Sequence, residues 1–367
     1  MFLLIIILYL IYLASFLYIA QCIIFVFKIP RPPAYYLYAL CIVLCLFSIV
    51  SFIGRRADHG ILRLITPFSF IVMGIWAITI SCSLINELTN LIAYFFKTAH
   101  FRYYSTLITL GLSAVFSLWS LVNAAVIQRV NEITIPVQGL GRPSLRIIQL
   151  SDIHINAATS ISKITRIFEK AAALHGDIIV LTGDIFDSDI LHDESYKRFG
   201  FEKLSAPGGV YAVTGNHDYY TGISIFNELC KQCNITVLDD DSIMLDDIIN
   251  IAGINDISFR SSDMITIALS DIDSHYPVLF LSHRPESFDH IAAINDKHIV
   301  QLSGHTHGGQ IPPIEIIRRF FMKYNTGIYS QKNARMFVSS GTRWWGPPMR
   351  FGNTCEIAVI NLHAANG

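Results

Sequence analysis

The chain has 367 residues, 52% of them hydrophobic, with 27 basic and 28 acidic side chains and a formal net charge of -1. Such a balance excludes a nucleic-acid binder held by bulk positive charge. Length sets an expectation of two domains, and a mean hydropathy of +0.47, carried mostly by the first third, makes one of them apolar.

Four uncharged apolar stretches come first, over residues 2–27, 34–54, 64–86 and 103–127. Each meets the roughly 20 residues a helix needs to cross the hydrocarbon of a bilayer. The first lacks a basic leader and a small-x-small exit before "KIPRPP", so it reads as a span and not a cleaved signal. Tyr35, Tyr36, Tyr103 and Tyr104 stand at span edges, where an interfacial aromatic belt belongs. Lys28, Arg31, Lys97 and Arg102 fall on one side of the membrane; Arg55, Arg56, Arg63, Arg129, Arg142 and Arg146 fall on the other. That bias favours both termini inside the cell, with a cytoplasmic soluble domain. Cys22, Cys41, Cys45 and Cys82 lie within apolar runs and read as packing. Cys230 and Cys233 form a C-x-x-C without a second pair at zinc-ribbon spacing, and Cys355 brings the soluble part to an odd three, which argues against a disulfide framework.

From Ile133 the texture changes to short apolar runs alternating with amphipathic ones. "LRIIQLSDIH" reads as a buried strand with a polar end, "ISKITRIFEKAAALHG" as a helix with a glycine stop, and "DIIVLTGDIFD" as a strand again. "GGVYAVTGNHD", "YPVLFLSHRPE" and "HIVQLSGHTHGG" repeat the strand-then-polar form. Strands alternating with helices predict a layered α/β core whose polar strand ends gather at one edge. The expected organisation is a transmembrane region over 1–130, a linker over 131–144 and a globular domain over 145–362.

Each strand end delivers metal-binding side chains: Asp152 and His154, Asp184 and Asp187, Asn216 with His217 and Asp218, His283, and His305 with His307. Any one of these pieces suits an ordinary turn; five in succession do not. Carboxylate, amide and imidazole donors together suit divalent ions such as Mn, Fe or Zn, and two ions sharing one aspartate account for the number of ligands. Gly183, Gly215 and Gly304 let the backbone turn sharply beside them. No G-x-S-x-G occurs, and the one G-x-G, at residues 139–141, precedes its strand, so serine-hydrolase and dinucleotide-binding readings find no support.

This ordered set, D-x-H, G-D-x-x-D, G-N-H-D, a single His and G-H-T-H, resembles the calcineurin-like metallophosphoesterases. The resemblance implies a four-layer β-sandwich of two sheets flanked by helices, with a dinuclear centre at the sheet edge. By position it implies one metal on Asp152, His154, Asp184 and His307, and a second on the shared Asp184 with Asn216, His283 and His305. It gives His217 contact with the phosphate and the protonation of the leaving group, makes Asp218 the holder of the His217 ring, and counts Asp187 with them among the catalytic residues. The sequence departs from the family at Asp189, where glycine is usual.

Two later segments mix basic and aromatic residues. Arg318, Arg319 and Lys323 surround Phe320 and Phe321, and Arg343 and Arg350 surround Trp344 and Trp345. Such a mixture suits a bilayer surface or an acyl chain with an anionic head, and equally a covering helix and a packed turn. We read Arg343, Trp344, Trp345 and Arg350 as candidate substrate contacts. "PPMRFGNTCEIAVINL" and "GHTHGGQIPP" resemble the bacterial membrane-attached subgroup, some of whose members cleave UDP-2,3-diacylglucosamine. That similarity implies a hydrolase of the bacterial inner membrane acting on a phosphodiester or pyrophosphate, with a lipid-linked substrate. A soluble-nucleotide phosphodiesterase and a non-catalytic metal-dependent sensor are the alternatives.

Overall fold

A computed structural model describes residues 2–54, 60–96, 100–126, 128–156, 159–187, 199–257, 261–294 and 298–365. Asp189 and the loop residues Arg55, Arg56 and Lys97 fall outside them. Four helices open the chain: α1 (Phe2–Phe27), α2 (Arg31–Gly54), α3 (Gly60–Phe95) and α4 (Phe101–Val126). Each contains a stretch long and apolar enough to cross a membrane, and many of their large side chains are left exposed to any surrounding lipid. The third runs well beyond the expected Asn86, because Glu87 accepts a hydrogen bond from Tyr18 at 2.7 Å. Inside the bundle, the indole of Trp76 donates to Ser15 and meets Tyr12 edge-on at 4.4 Å.

Residues 310–317 and 346–352 belong to the same compact unit as these helices. Arg350 donates its backbone N–H to the Ser120 carbonyl, Asn123 donates to the Arg350 carbonyl, and Phe351 meets the Phe116 ring at 5.4 Å. A Cβ on Gly74 would stand 2.3 Å from the Met349 sulfur, so this close approach requires glycine.

The second unit holds two six-stranded sheets. The elements after α4 are β1 (Gln128–Val137), β2 (Ser144–Leu150), α5 (Ile161–Ala172), β3 (Ile178–Thr182), β4 (Val210–Val213), α6 (Asn216–Thr221), α7 (Ile223–Gln232), β5 (Ile235–Val237), β6 (Asp241–Leu245) and β7 (Ile249–Gly253). Then come α8 (Ser262–Ala268), β8 (Val278–Leu281), α9 (Phe288–Ile294), β9 (Ile299–Ser303), α10 (Ile314–Phe321), β10 (Gly327–Gln331), β11 (Ala334–Val338) and β12 (Cys355–Ala364). One sheet has the order β1-β12-β2-β3-β4-β5 and the other β10-β11-β9-β8-β7-β6.

Both central sets of strands are buried on both faces, which explains their continuous apolar runs. Ile147, Ile178 and Val180 point between the sheets, where they meet Ile251, Leu279, Leu281 and Leu302; Ile148, Ile179 and Leu181 point outward onto α5 and α7. Val278 and Phe280 turn the other way, onto α8 and α9. The result is the expected helix–sheet–sheet–helix layering. The expected linker is corrected: residues 128–137 form an edge strand paired in parallel with β12 from Gln128↔Cys355 to Val137↔Ala364. The alternation in "NEITIPV" causes this, since Ile133, Ile135 and Val137 are buried in turn, and Pro136 is tolerated at an edge. β2, β3 and β4 are mutually parallel, as are β7, β8 and β9, so each sheet collects several C-terminal strand ends at one side.

Candidate metal centre

Those ends bring the predicted donors together. Asp152 and His154 come after β2, Asp184 and Asp187 after β3, Asn216 to Asp218 after β4, His283 after β8, and His305 and His307 after β9. Three groups have donor atoms mutually within 4.8 Å: Asp152, His154 and His307; His154, Asp184 and His217; and Asp184, His283 and His305. The Nε2 atoms of His154 and His307 face each other at 3.0 Å, and His305 Nδ1 faces His283 Nε2 at 3.2 Å.

The local backbone is bent to make this possible. Asp152, His154, Asp184, His305 and His307 all have φ between 47° and 68°, a left-handed region that Asp and His enter more readily than most residues. A Cβ on Gly304 would lie 1.9 Å from Ser151 Oγ and 2.3 Å from an Asp152 carboxylate oxygen. On Gly215 it would lie 2.2 Å from Asp184 Oδ1. Glycine is needed at both points because the carboxylates occupy that space.

Hydrogen bonds fix which ring nitrogens face the cluster. His283 donates from Nδ1 to the Thr182 carbonyl at 2.8 Å, which leaves its Nε2 3.2 Å from Asp184. His154 Nδ1 lies 3.1 Å from Asp187 Oδ1, and its Nε2 also points inward. A neighbour that fixes the outer nitrogen in this manner is the usual support of a metal-binding imidazole. Asp187 also takes His217 Nδ1 at 2.8 Å. Burial works to raise the Asp187 carboxyl, but the charges and hydrogen bonds of His154 and His217 hold it well below the ordinary value. Burial works to lower the His217 ring, and Asp187 and Asp184 raise it on balance.

The expected role of Asp218 is corrected here. Its carboxylate turns away from the His217 ring and accepts four backbone N–H groups, from Asp184, Ile185, Phe186 and Gly215, at 2.8–3.0 Å. As the third residue of α6 it folds back over the start of its own helix, while Asp187 reaches the ring from the facing loop. Burial and the Asp184 charge push the Asp218 carboxyl up to about 7, against the pull of the backbone donors. Four donors on two oxygens decide for the ionised form, since a protonated oxygen would face an N–H.

The four residues expected to contact substrate divide differently. Trp345 meets the His217 ring edge-on at 5.6 Å, and Tyr220 meets the same ring at 5.4 Å. Arg343 is buried, and its Nη1 donates to the carbonyls of Ile153 and His154 and approaches the Thr159 hydroxyl, so it clamps the loop that carries His154. Burial lowers its pKa to about 10. Trp344 lies against that guanidinium at 4.9 Å. Arg350 is buried within the helical unit. For Arg350 the packed turn, the alternative to a substrate contact, is what the structure shows.

Several supporting residues carry no motif. Ser151 donates to Asp152 at 2.6 Å, and Asn353 donates to the carbonyls of His307 and Gly308. Asp256 grips Arg284, whose Nη1 is 3.3 Å from His305 Nε2. Only the position of Arg284, next to His283, signalled this.

The donor set fits divalent cations. Asp152 is 0% and Asp184 3% exposed, and burial of such carboxylates among imidazoles is costly unless positive charge accompanies them. After β4, Asn216 Oδ1 is buried with no hydrogen-bond donor among the described residues.

Residues 145–309 match the family profile described as calcineurin-like phosphoesterase. A protein of Danio rerio, "Transmembrane protein with metallophosphoesterase domain", is 31% identical over 279 residues, covering 71% of this chain and 63% of that protein. Its namesake in Bos taurus is 30% identical, covering 69% and 61%. An "Uncharacterized metallophosphoesterase" of Helicobacter pylori is 31% identical over 231 residues, 60% of each chain. The chain thus spans about three fifths of the length of these curated relatives. Residues 145–309 therefore form a calcineurin-like metallophosphoesterase domain.

Proposed function

We propose that this chain is a membrane protein that hydrolyses a phosphoester bond at a dinuclear metal centre. The buried cluster of aspartates and inward-facing imidazoles carries the reading. Asp152, His154, Asp184 and His307 would hold one cation, and Asp184, Asn216, His283 and His305 the other. Divalent cations held there would supply Lewis acidity toward a phosphoryl group and would activate water. Asp187 holds His217 through Nδ1, so that Nε2 is the ring atom available to give a proton to the departing oxygen. Arg343 and Asn353 keep the donor loops in register from behind. This proton donor favours an enzyme over a metal-dependent sensor.

A lipid-linked ester, of the kind found in UDP-2,3-diacylglucosamine, is the substrate class we favour. Phe320 and Phe321 on α10 are 80% and 81% exposed, and Trp345 stands beside His217, so apolar surface is present where an acyl chain is expected. The basic-residue bias favours a catalytic domain on the cytoplasmic face of a bacterial inner membrane.

The test is turnover of bis(p-nitrophenyl) phosphate by the purified full chain with Mn, Fe or Zn, compared with Asp184→Asn. Loss of both turnover and bound metal in the variant is expected. Normal turnover with two metals retained refutes the shared-carboxylate centre.

A further inference from the structure

The chain leaves the globular unit at two points next in sequence to residues of the candidate metal centre. Residues 310–317 begin three positions after His307, and residues 346–352 run from Trp345, at the His217 ring, to Asn353, which donates to the carbonyls of His307 and Gly308. Both excursions belong to the unit of α1–α4. Within it they are tied together: Phe351 N–H donates to the Gln310 carbonyl at 2.8 Å, and Gln310 Nε2 donates to the Pro347 carbonyl at 2.8 Å.

The second excursion is gripped by groups that a simple anchor has no use for. Asn123 lies in the apolar span Phe101–Ala125, is 3% exposed, and donates from Nδ2 to the Arg350 carbonyl at 2.9 Å. One turn earlier the Ser120 carbonyl accepts the Arg350 N–H at 3.0 Å. A carboxamide in an apolar span is costly without such a partner. Met349 is buried with Ala77, Ile78 and Ile311. A Cβ on Gly74 of α3 would stand 2.3 Å from the Met349 sulfur and 3.1 Å from Pro347 Cβ. Two consecutive prolines, Pro347 and Pro348, stiffen the segment, so a push on Met349 is absorbed poorly within it.

We propose that α3 and α4 are part of the phosphoesterase machinery and not an anchor alone. Gly74 and Asn123 are positioning residues: through the 346–352 turn they set Asn353, which holds the His307 loop, and Trp345, which stands at the His217 ring. This rests on the hydrolase reading above and adds the apolar helices to its site.

The experiment titrates the metal-stripped full chain in detergent with Mn(II), read by electron paramagnetic resonance. Gly74→Ala and Asn123→Ala should each weaken one of the two bound ions by about 10-fold, as altering the outer supports of metal-binding histidines does. Gly111→Ala is the matched control, since a Cβ on Gly111 of α4 meets nothing within 4 Å. It should bind as wild type does. Alanine suits a helix better than glycine, so the contrast between the two glycine variants does not come from a weakened helix. In a Met349→Ala background, where the overlapping sulfur is gone, Gly74→Ala should change the affinity by less than about twofold. Turnover of bis(p-nitrophenyl) phosphate should fall with the affinity, while far-ultraviolet circular dichroism stays that of wild type. Wild-type affinity in Gly74→Ala or in Asn123→Ala, an equal loss in Gly111→Ala, or a Gly74→Ala loss undiminished by Met349→Ala overturns the proposal. A loss of affinity that comes with a loss of helix assigns these residues to bundle stability and overturns it as well. If wild type binds Mn(II) but cleaves no ester, the hydrolase reading fails, and the Mn(II) comparison still decides the positioning role.

Discussion

Asp187 takes the place at the His217 ring that was expected of Asp218, and one substitution separates the two assignments. In Asp218→Asn an amide NH2 replaces one carboxylate oxygen, so two of the four buried N–H groups now on Asp218 face a donor. Leaving a buried donor unsatisfied costs about 1–3 kcal/mol, so the pair costs about 2–6 kcal/mol, a large part of a domain's net stability. For a domain of this size each kcal/mol moves Tm by about 2–4 °C, and a loss near 3 kcal/mol predicts a fall of roughly 6–12 °C. The loop between Asp184 and Phe186 loses its anchor with it, so bound metal should drop. Among the described residues the Asp187 carboxylate meets the side chains of His154, His217 and Asn156. Asp187→Asn removes the charge that orients His154 and His217, and should cut kcat by about 10²-fold with a much smaller change in Tm. Near-ultraviolet circular dichroism melts of both variants in detergent, with metal content and diester turnover, make the comparison. If Asp218→Asn melts like wild type and loses only turnover, while Asp187→Asn is harmless, Asp218 holds the His217 ring and our assignment is wrong.

Gly304→Ala should destabilise by about 1–3 kcal/mol and weaken metal retention, because the new methyl overlaps Ser151 and the Asp152 carboxylate; an unchanged melt and metal content would show that the loop yields freely. Stripping metal with a chelator should lower Tm, and reloading should restore it, since the buried carboxylates lose their compensating charge; identical melts would mean the cluster is stable without cations. Changing Phe320 and Phe321 to Ser removes exposed apolar area and should raise KM for an acylated substrate by about 10-fold or more, against little change for a chain-free diester. Equal effects on both substrates would assign these rings to packing. A reporter active only outside the cell, fused after Gly367, should stay silent; activity would reverse the proposed orientation.

Much of the site is legible in the sequence because its donors sit at fixed positions after strands, and a strand end has few places to go. The apolar runs before Ser151, Gly183, Thr214, Ser282 and Gly304 mark five buried strands, and parallel pairing then forces their ends to one side. The loops beyond the strands are less determined. Whether Asp187 or Asp218 meets His217 depends on how two facing loops close, and both lie within a few residues of the same motif. Arg343 shows the same limit. A basic residue beside two tryptophans suits a substrate contact as well as a clamp, and its bonds to the carbonyls of Ile153 and His154 and to the Thr159 hydroxyl distinguish the two.

The arrangement also explains why these loops tolerate strain. Five donor residues hold left-handed φ angles, each at an energetic cost outside glycine. Two of these backbones are held by carboxylates of neighbouring motifs, His305 N–H donating to Asp152 and Asp184 N–H to Asp218, and the His217 N–H donates to Asp184 in the same way. Asp152 and Asp184 therefore face the cluster and also fix the loop that brings the next donor, while Asp218 fixes Asp184 from behind. Removing one donor displaces a backbone that positions another, so substitutions within the set should be strongly non-additive, whereas those at Phe320 and Phe321, whose rings are exposed on α10, should add independently to them.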